Sequence, residues 1–282
     1  MRIDYRKRKI SLLTNHGKEL IIAPVLERAL GCQVEQVQGC DTDQFGSFDR
    51  ITPRQGSQLQ TARRKAQFAI DLSPHTVGIA SEGLFTVDPF SGFMPWNIEM
   101  VLFLDDLHGL EVVGMAQGSA MNMSKSVRDF DSLMEFAADA GFPEHHHLML
   151  RPQNASDPRV TKGIQDVDTL KSAFIEALLQ SDNGKVFVEN DLRAFCNPTR
   201  RLMIEQATED LARKLLSLCP ECQMPGFWKM KTESGLPCGG CGSPTREAVC
   251  ELWQCTHCNY SSHKTLAQTL EADPQVCDNC NP

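Results

Sequence analysis

Four CxxC pairs stand in the last 64 residues of the 282-residue chain: Cys219/Cys222, Cys238/Cys241, Cys255/Cys258 and Cys277/Cys280. Each pair at this spacing presents two sulfurs to one tetrahedral ion, so the eight cysteines make two four-cysteine zinc sites. Intervals of 15, 13 and 18 residues between the pairs suit zinc ribbons. Four thiolates leave no position for a reacting water, which makes both ions structural. Two pairings are open. Residues 245–254 read as a strand pair between the middle knuckles, favouring one site from Cys238, Cys241, Cys255 and Cys258 and a second from the outer four. Sequential pairing is nearly as good. Cys250, His257 and His263 read as spare.

A second set of chemistry-bearing residues lies upstream. Thr14, Asn15 and Lys18 supply hydroxyl, amide and ammonium donors in a turn between a strand and a helix, where helix amides and the helix dipole favour an anion. The GxxxxGK spacing of a Walker loop is absent. Val77–Ala80 reads as a strand that ends by delivering Glu82 and Gly83 to the surface, a common way to build a metal or phosphate site. Arg63 and Arg64 form a basic helix face, with Lys65 on its flank; Arg193, Arg200 and Arg201 surround a helix start near Asn197 and suit a phosphate. Asp41 and Asp43, ahead of Gly46, form a solvated turn or hold a hard cation, the turn being favoured.

The elements that position these residues follow from pattern. Lys9–Asn15 and Val34–Val37 read as strands, separated by a helix that Pro24 must kink or restart. Leu59, Ala62, Ala66 and Ala69 define a helix face capped by Ser57. Met100–Leu104, entered through Asn97 and Glu99, pairs with Leu110–Met115 across His108-Gly109. Helices follow over Phe130–Ala140 and Val167–Leu179, and His145-His146-His147 reads as an exposed approach to a strand. Asn197 caps a last helix with Pro198 in its first turn and Ile204, Ala207, Leu211, Leu215 and Leu218 on its apolar face.

The net charge of −8 argues against a general nucleic-acid or membrane-surface binder. No apolar run approaches a membrane span, and the basic start lacks a signal-peptide core, so the chain reads as cytoplasmic. Nine of the 12 cysteines lie at or beyond residue 219, which divides an α/β domain over 1–217 from a zinc-ribbon domain over 218–282. From Leu218 onward seven acidic residues outnumber Lys229, Lys231, Arg246 and Lys264, so the ribbon suits a protein partner, gripped through Phe227, Trp228 and Trp253, better than nucleic acid.

Three stretches, TNHGKE, SQLQTARRKAQFA and VGIASEGLF, occur in an order that resembles the inosine/xanthosine triphosphate pyrophosphatase-like fold over residues 1–120. That fold carries a T-N-x-x-K turn, an E-x-A-x-x-K-A-like helix and a strand running into an acidic, glycine-containing turn. The resemblance implies a mixed central sheet with flanking helices. Thr14, Asn15 and Lys18 would contact a nucleoside triphosphate, Lys65 would match the helix lysine, and Glu82 would be a metal-coordinating or base-activating carboxylate, with magnesium as the candidate cation. The helix acid is replaced by Gln60, so a ligand would come from Asp41, Asp43 or Glu99. The whole chain, with LRAFCNPTRR and the cysteine-rich end, resembles a bacterial family of two-part proteins with a C-terminal double zinc ribbon.

The expectation is a metal-dependent hydrolase of a nucleotide or related phosphate ester. Glu82 would orient metal or water, Lys18 and Lys65 would offset phosphate charge, and Arg63, Arg193 and Arg200 would hold the anion. The alternative is a non-catalytic nucleotide- or nucleic-acid-binding module whose ribbon recruits a protein partner.

Overall fold

The computed structural model describes residues 3–46, 51–53 and 55–282, without the side chain of Asp43. The expectation placed on the Asp43 side chain lies outside the described residues. In chain order the elements are β1 (Lys9–Leu13), α1 (Glu19–Leu30), β2 (Gln33–Val37), α2 (Gln58–Asp71), β3 (Val77–Val87), β4 (Pro95–Asp105), β5 (Leu110–Ser119), β6 (Ser124–Val127), α3 (Phe130–Asp139), β7 (Leu148–Arg151), β8 (Thr161–Ile164), α4 (Val167–Leu179), β9 (Val186–Asn190), α5 (Pro198–Leu216), β10 (Phe227–Ser234), β11 (Ala248–Cys255) and β12 (Ser261–Thr265). The architecture is α/β, with one mixed sheet, two antiparallel sheets and flanking helices. The chain divides into two units. The larger holds Tyr5–Leu107 and Val113–Ala212; the smaller gathers Arg213–Pro282 with two short segments, one of them His108–Val112.

The first sheet has the order β2-β1-β3-β4-β5. β1 runs parallel to β2 and β3, and β3 antiparallel to β4. Parallel neighbours need crossovers, which α1 and α2 provide. Pro24 is carried inside one continuous α1, so of the expected kink or restart the restart does not occur. Ser57 caps α2 in a full capping box with Gln60. The small side chains of Ala62 and Ala66 let α2 lie against β3, where a Cβ on Gly78 would strike the Ala66 carbonyl. The second sheet, β6-β9-β7-β8, buries its own core with α3 and α4: Leu133, Phe136, Leu148, Leu170, Phe174 and Val188.

Two expectations are corrected here. β3 does not stop at Ala80. It continues to Val87 because every residue from Val77 to Val87 has a partner on β4, so Glu82 and Gly83 sit within a strand, and Glu82 is buried rather than delivered to the surface. The histidine run is not wholly exposed either. His145 is exposed, but the next residue on the chain points inward: His146 is buried, with its Nε2 3.2 Å from Thr199 Oγ1 at the start of α5.

The smaller unit carries the sheet β10-β11-β12. Its strands overturn both readings of the cysteine pairing. Residues 245–254 are not a strand pair; most of them belong to the single strand β11, which pairs antiparallel with β10. Phe227 therefore opposes Cys255, and the knuckle before β10 meets the knuckle after β11: Cys219 and Cys222 gather with Cys255 and Cys258. A parallel bridge between Cys238 and Ala272 brings the last knuckle back, so Cys238 and Cys241 gather with Cys277 and Cys280. The sites interleave. Replacing Cys222 and Cys258 together by serine therefore removes one metal ion per chain in elemental analysis, whereas replacing Cys222 and Cys241 removes both. The opposite pattern would establish a different pairing.

Candidate functional site

In each knuckle the amide following the second cysteine donates to the carbonyl of the first: Gln223 to Cys219 (2.9 Å), Gly242 to Cys238 (2.8 Å), Asn259 to Cys255 (3.2 Å) and Asn281 to Cys277 (2.8 Å). Gln223, Gly242 and Asn259 take the left-handed backbone that this turn requires. Across the first site Cys219–Cys258 and Cys222–Cys255 sulfurs are each 3.7 Å apart; across the second, Cys238–Cys280 and Cys241–Cys277 are 3.8 and 3.7 Å apart. These separations are far longer than a disulfide of about 2.05 Å. They match the edge of about 3.8 Å in a tetrahedron whose metal–sulfur bonds are about 2.3 Å. Backbone amides of Gly240 and His257 point at Cys238 and Cys255 Sγ at 3.3 and 3.4 Å. Both groups fit metal ions such as zinc.

The larger unit holds a cluster of buried charge. β1 pairs with β3 only at Ser11–Gly78 and Leu12–Ile79, so beyond that point the edge of β3 faces the turn that follows β1. Lys18, at the N-cap of α1, reaches across: its Nζ donates to the Ser81 carbonyl at 3.0 Å and lies 3.3 Å from Ser81 Oγ. Lys65, from α2, forms an ion pair with Glu82. On the opposite face of the β3–β4 hairpin, Glu99 pairs with Arg200 through Nε–Oε1 at 2.7 Å and accepts from Asn97 Nδ2 at 3.1 Å. Arg200 also donates to the Leu192 carbonyl at 2.6 Å, and its amide is capped by Asn197 Oδ1 at 2.9 Å. Gly83 opposes Glu99 in the register, and a Cβ there would overlap Glu99 Oε1 and Arg200 Nη2. Only glycine leaves room for this ion pair.

Lys18, Lys65, Glu82, Glu99 and Arg200 are all at least nine-tenths buried. Among the described residues three cations face two carboxylates, and the excess falls on Lys18. Burial pushes its ammonium down from 10.5 to about 7; Arg200 adds to the shift, while Glu99 and Glu82 oppose it. Lys18, Lys65, Glu82 and Arg200 border a small cleft with Thr14, His16, Thr42 and Ser81, about 20 Å³ in volume, space for one water-sized group. A second cavity of about 580 Å³ is lined by Leu20, Pro24, Arg28, His147, Phe195 and Arg201. His16 borders the cleft, Phe195 borders the cavity, and their rings stack at 6.1 Å.

The structure thus gathers Thr14, Lys18, Lys65, Glu82 and Arg200 in one cleft. Asn15 instead donates to Asp41 at 3.0 Å. Arg63 is exposed on α2, and Arg193 holds Asp191 through Nε at 3.0 Å and stacks over Phe195 at 4.7 Å. Gln60 spends its side chain on the capping box, whereas Gln58 reaches the Glu82 carbonyl at 2.7 Å. Among the described residues no three carboxylate, histidine or cysteine donors converge at this cleft. Glu99 was named only as a substitute ligand, and its pairing with Arg200 went unread. The available signal was a carboxylate on an inward position of the otherwise apolar run Ile98–Leu104. Phe227, Trp228 and Trp253 pack on one another, with ring centroids 5.4–5.7 Å apart.

Residues 65–282 match a family model described as a domain of unknown function, DUF6671. The match takes in Lys65, Glu82, Glu99, Arg200 and all eight knuckle cysteines, and begins after the Thr14–Lys18 turn. No curated protein and no solved structure matches the chain.

The depressed Lys18 value sets a pH dependence. Between about pH 7 and 10.5 the unfolded chain holds a proton that the folded chain has released, so stability rises with pH across that window. Below about 7 the cost of the buried ammonium is fully present. Lys18→Met removes that cost, so in urea titrations its stability relative to wild type is highest below pH 7 and declines steadily toward pH 10. A pH-independent difference would show that Lys18 titrates normally.

Proposed function

We propose that this chain, which belongs to the DUF6671 family, binds the phosphate of a nucleotide or related phosphate ester at the Lys18–Lys65–Arg200 cluster. The observation that carries this reading is the charge imbalance among the described residues: three buried cations against two carboxylates, with the excess at the start of α1. A helix N-terminus already favours an anion, and a lysine whose proton is held loosely gains most when one arrives. The ligand fixes the proton on Lys18, and Lys18 offsets the ligand charge.

The reading agrees with the resemblance to inosine/xanthosine triphosphate pyrophosphatase-like proteins. Of the positions that match its turn, helix and strand motifs, Thr14, Lys18, Lys65 and Glu82 border the same cleft, while Asn15 turns to Asp41. A phosphoryl group enters by displacing the water-sized content and drawing Lys65 away from Glu82. The cavity beyond His16 and Phe195 offers apolar and cationic surface for the rest of the molecule. Hydrolysis is the second reading. It is favoured by the freed Glu82 carboxylate, which would stand beside the bound phosphate as a base for water. The smaller unit would keep its fold through its metal ions and offer a surface to a protein partner.

A thermal-shift series with phosphate, pyrophosphate and nucleoside mono-, di- and triphosphates, with and without magnesium, tests the proposal. Ligand at 100 times its Kd adds about 2.7 kcal/mol, equivalent to a rise of roughly 5–10 °C for a unit of this size. That shift should appear with at least one phosphate compound and disappear in Lys18→Met. A flat series would rule out the phosphate site. Turnover lost in Glu82→Gln with binding retained would select the hydrolase.

A further inference from the structure

A third group of potential ligands lies on the ribbon sheet, away from both four-cysteine sites. Glu233 on β10 stands directly opposite Cys250 on β11, and His263 on β12 opposes Leu252, two residues along the same face. Each of the three strands contributes one donor. Cys250 lies an odd number of residues from Cys255, so alternation turns it to the other face of β11 from that ligand. It is not a ninth sulfur for the known pairs.

The geometry points to a metal site, and we propose that Glu233, Cys250 and His263 bind a borderline divalent cation such as zinc or cobalt at a third, exchangeable position. The ligand atoms of all three lie within 4.8 Å of one another. Two of the three edges already have the required length. Cys250 Sγ donates to Glu233 Oε2 at 3.4 Å, and His263 Nε2 lies 3.6 Å from the same oxygen. A tetrahedral ion bound by thiolate at about 2.3 Å and by nitrogen and oxygen at about 2.0–2.1 Å needs edges of about 3.5 Å.

Glu233 divides its two oxygens. Oε1 is held by Lys231 at 2.8 Å, while Oε2 faces the thiol and the imidazole. Lys231 therefore orients the carboxylate without occupying the ligating atom, the usual task of an outer partner at a metal centre. Binding replaces the Cys250 proton: the S–H bond breaks, sulfur keeps the electron pair and bonds to the cation, and the proton leaves to solvent. One thiolate, one carboxylate and one imidazole neutralise a divalent charge and leave a fourth position open. His263 is 59% exposed and Glu233 35%, so the site is reached from solvent without opening the fold. The open position and the exposure separate it from the closed four-cysteine sites: it exchanges metal where they retain it.

Cobalt(II) is the probe, added to the full chain carrying the metal it holds as purified. One further equivalent of cobalt should bind, with a thiolate-to-cobalt charge-transfer band in the near ultraviolet and with no release of the resident metal. Cys250→Ser should abolish the band and the extra equivalent. His263→Gln, at an exposed position that the fold does not depend on, should weaken binding at least tenfold while the resident metal content stays unchanged. Absence of an extra equivalent would overturn the site. So would a band that persists in Cys250→Ser or appears only as resident metal is displaced.

Discussion

The larger unit depends on keeping charge inside it. Removing an ion pair from water costs several kcal/mol per ion, and only close pairing with further hydrogen bonds repays it. Glu99 and Arg200 meet that condition through three separate elements: β4 supplies the carboxylate, the first turn of α5 supplies the guanidinium, and β3 supplies the gap at Gly83. The Leu192 carbonyl, just beyond β9, takes a further Arg200 donor. One buried pair thus ties the mixed sheet to the last helix of the unit and to the end of the second sheet. Lys65 and Glu82 repeat the arrangement on the other face of the hairpin with α2. Lys18 is the exception: it has carbonyl and hydroxyl partners but, among the described residues, no carboxylate of its own within bonding distance. Its depressed proton affinity is the energetic trace of that exception.

The smaller unit solves a different problem. Few of its residues are buried apolar ones, Met224, Leu236 and Ala272 among them, and many of its strand positions are half-buried or exposed. A segment this short rarely builds a sufficient core. Crossing the four knuckles compensates. Each four-cysteine group joins segments distant in sequence, and the interleaved order means that neither site can form from a continuous stretch of chain. The ribbon aromatics then add packing around Phe227 and Trp253. Metal affinity there is folding energy.

Local signals carried much of the architecture. The Ser57 cap and alanine spacing located α2, the Asn197-Pro198 pair located α5, and the knuckles named the eight cysteines that gather into two groups of four. The failures share one physical cause. Glu82 and Gly83 look like a strand end because a carboxylate and a glycine are poor strand interior residues; what makes them tolerable is Lys65 from a helix and Arg200 from residues far away, 101 positions from Glu99. His146 looks exposed for the same reason, its partner Thr199 being 53 positions away. The cysteine pairing needed the β10–β11 register, which no knuckle spacing contains.

The central claim is that the cleft holds a cation short of its charge until an anion arrives. Isothermal titration calorimetry of pyrophosphate into the full chain, repeated in buffers of different ionisation heat, counts the protons exchanged on binding. Beyond the protons that pyrophosphate itself exchanges, the account predicts almost no uptake at about pH 6, where Lys18 is already charged, and net uptake that grows as pH passes through about 7. Binding with the same proton count at every pH, or no binding at all, would contradict it.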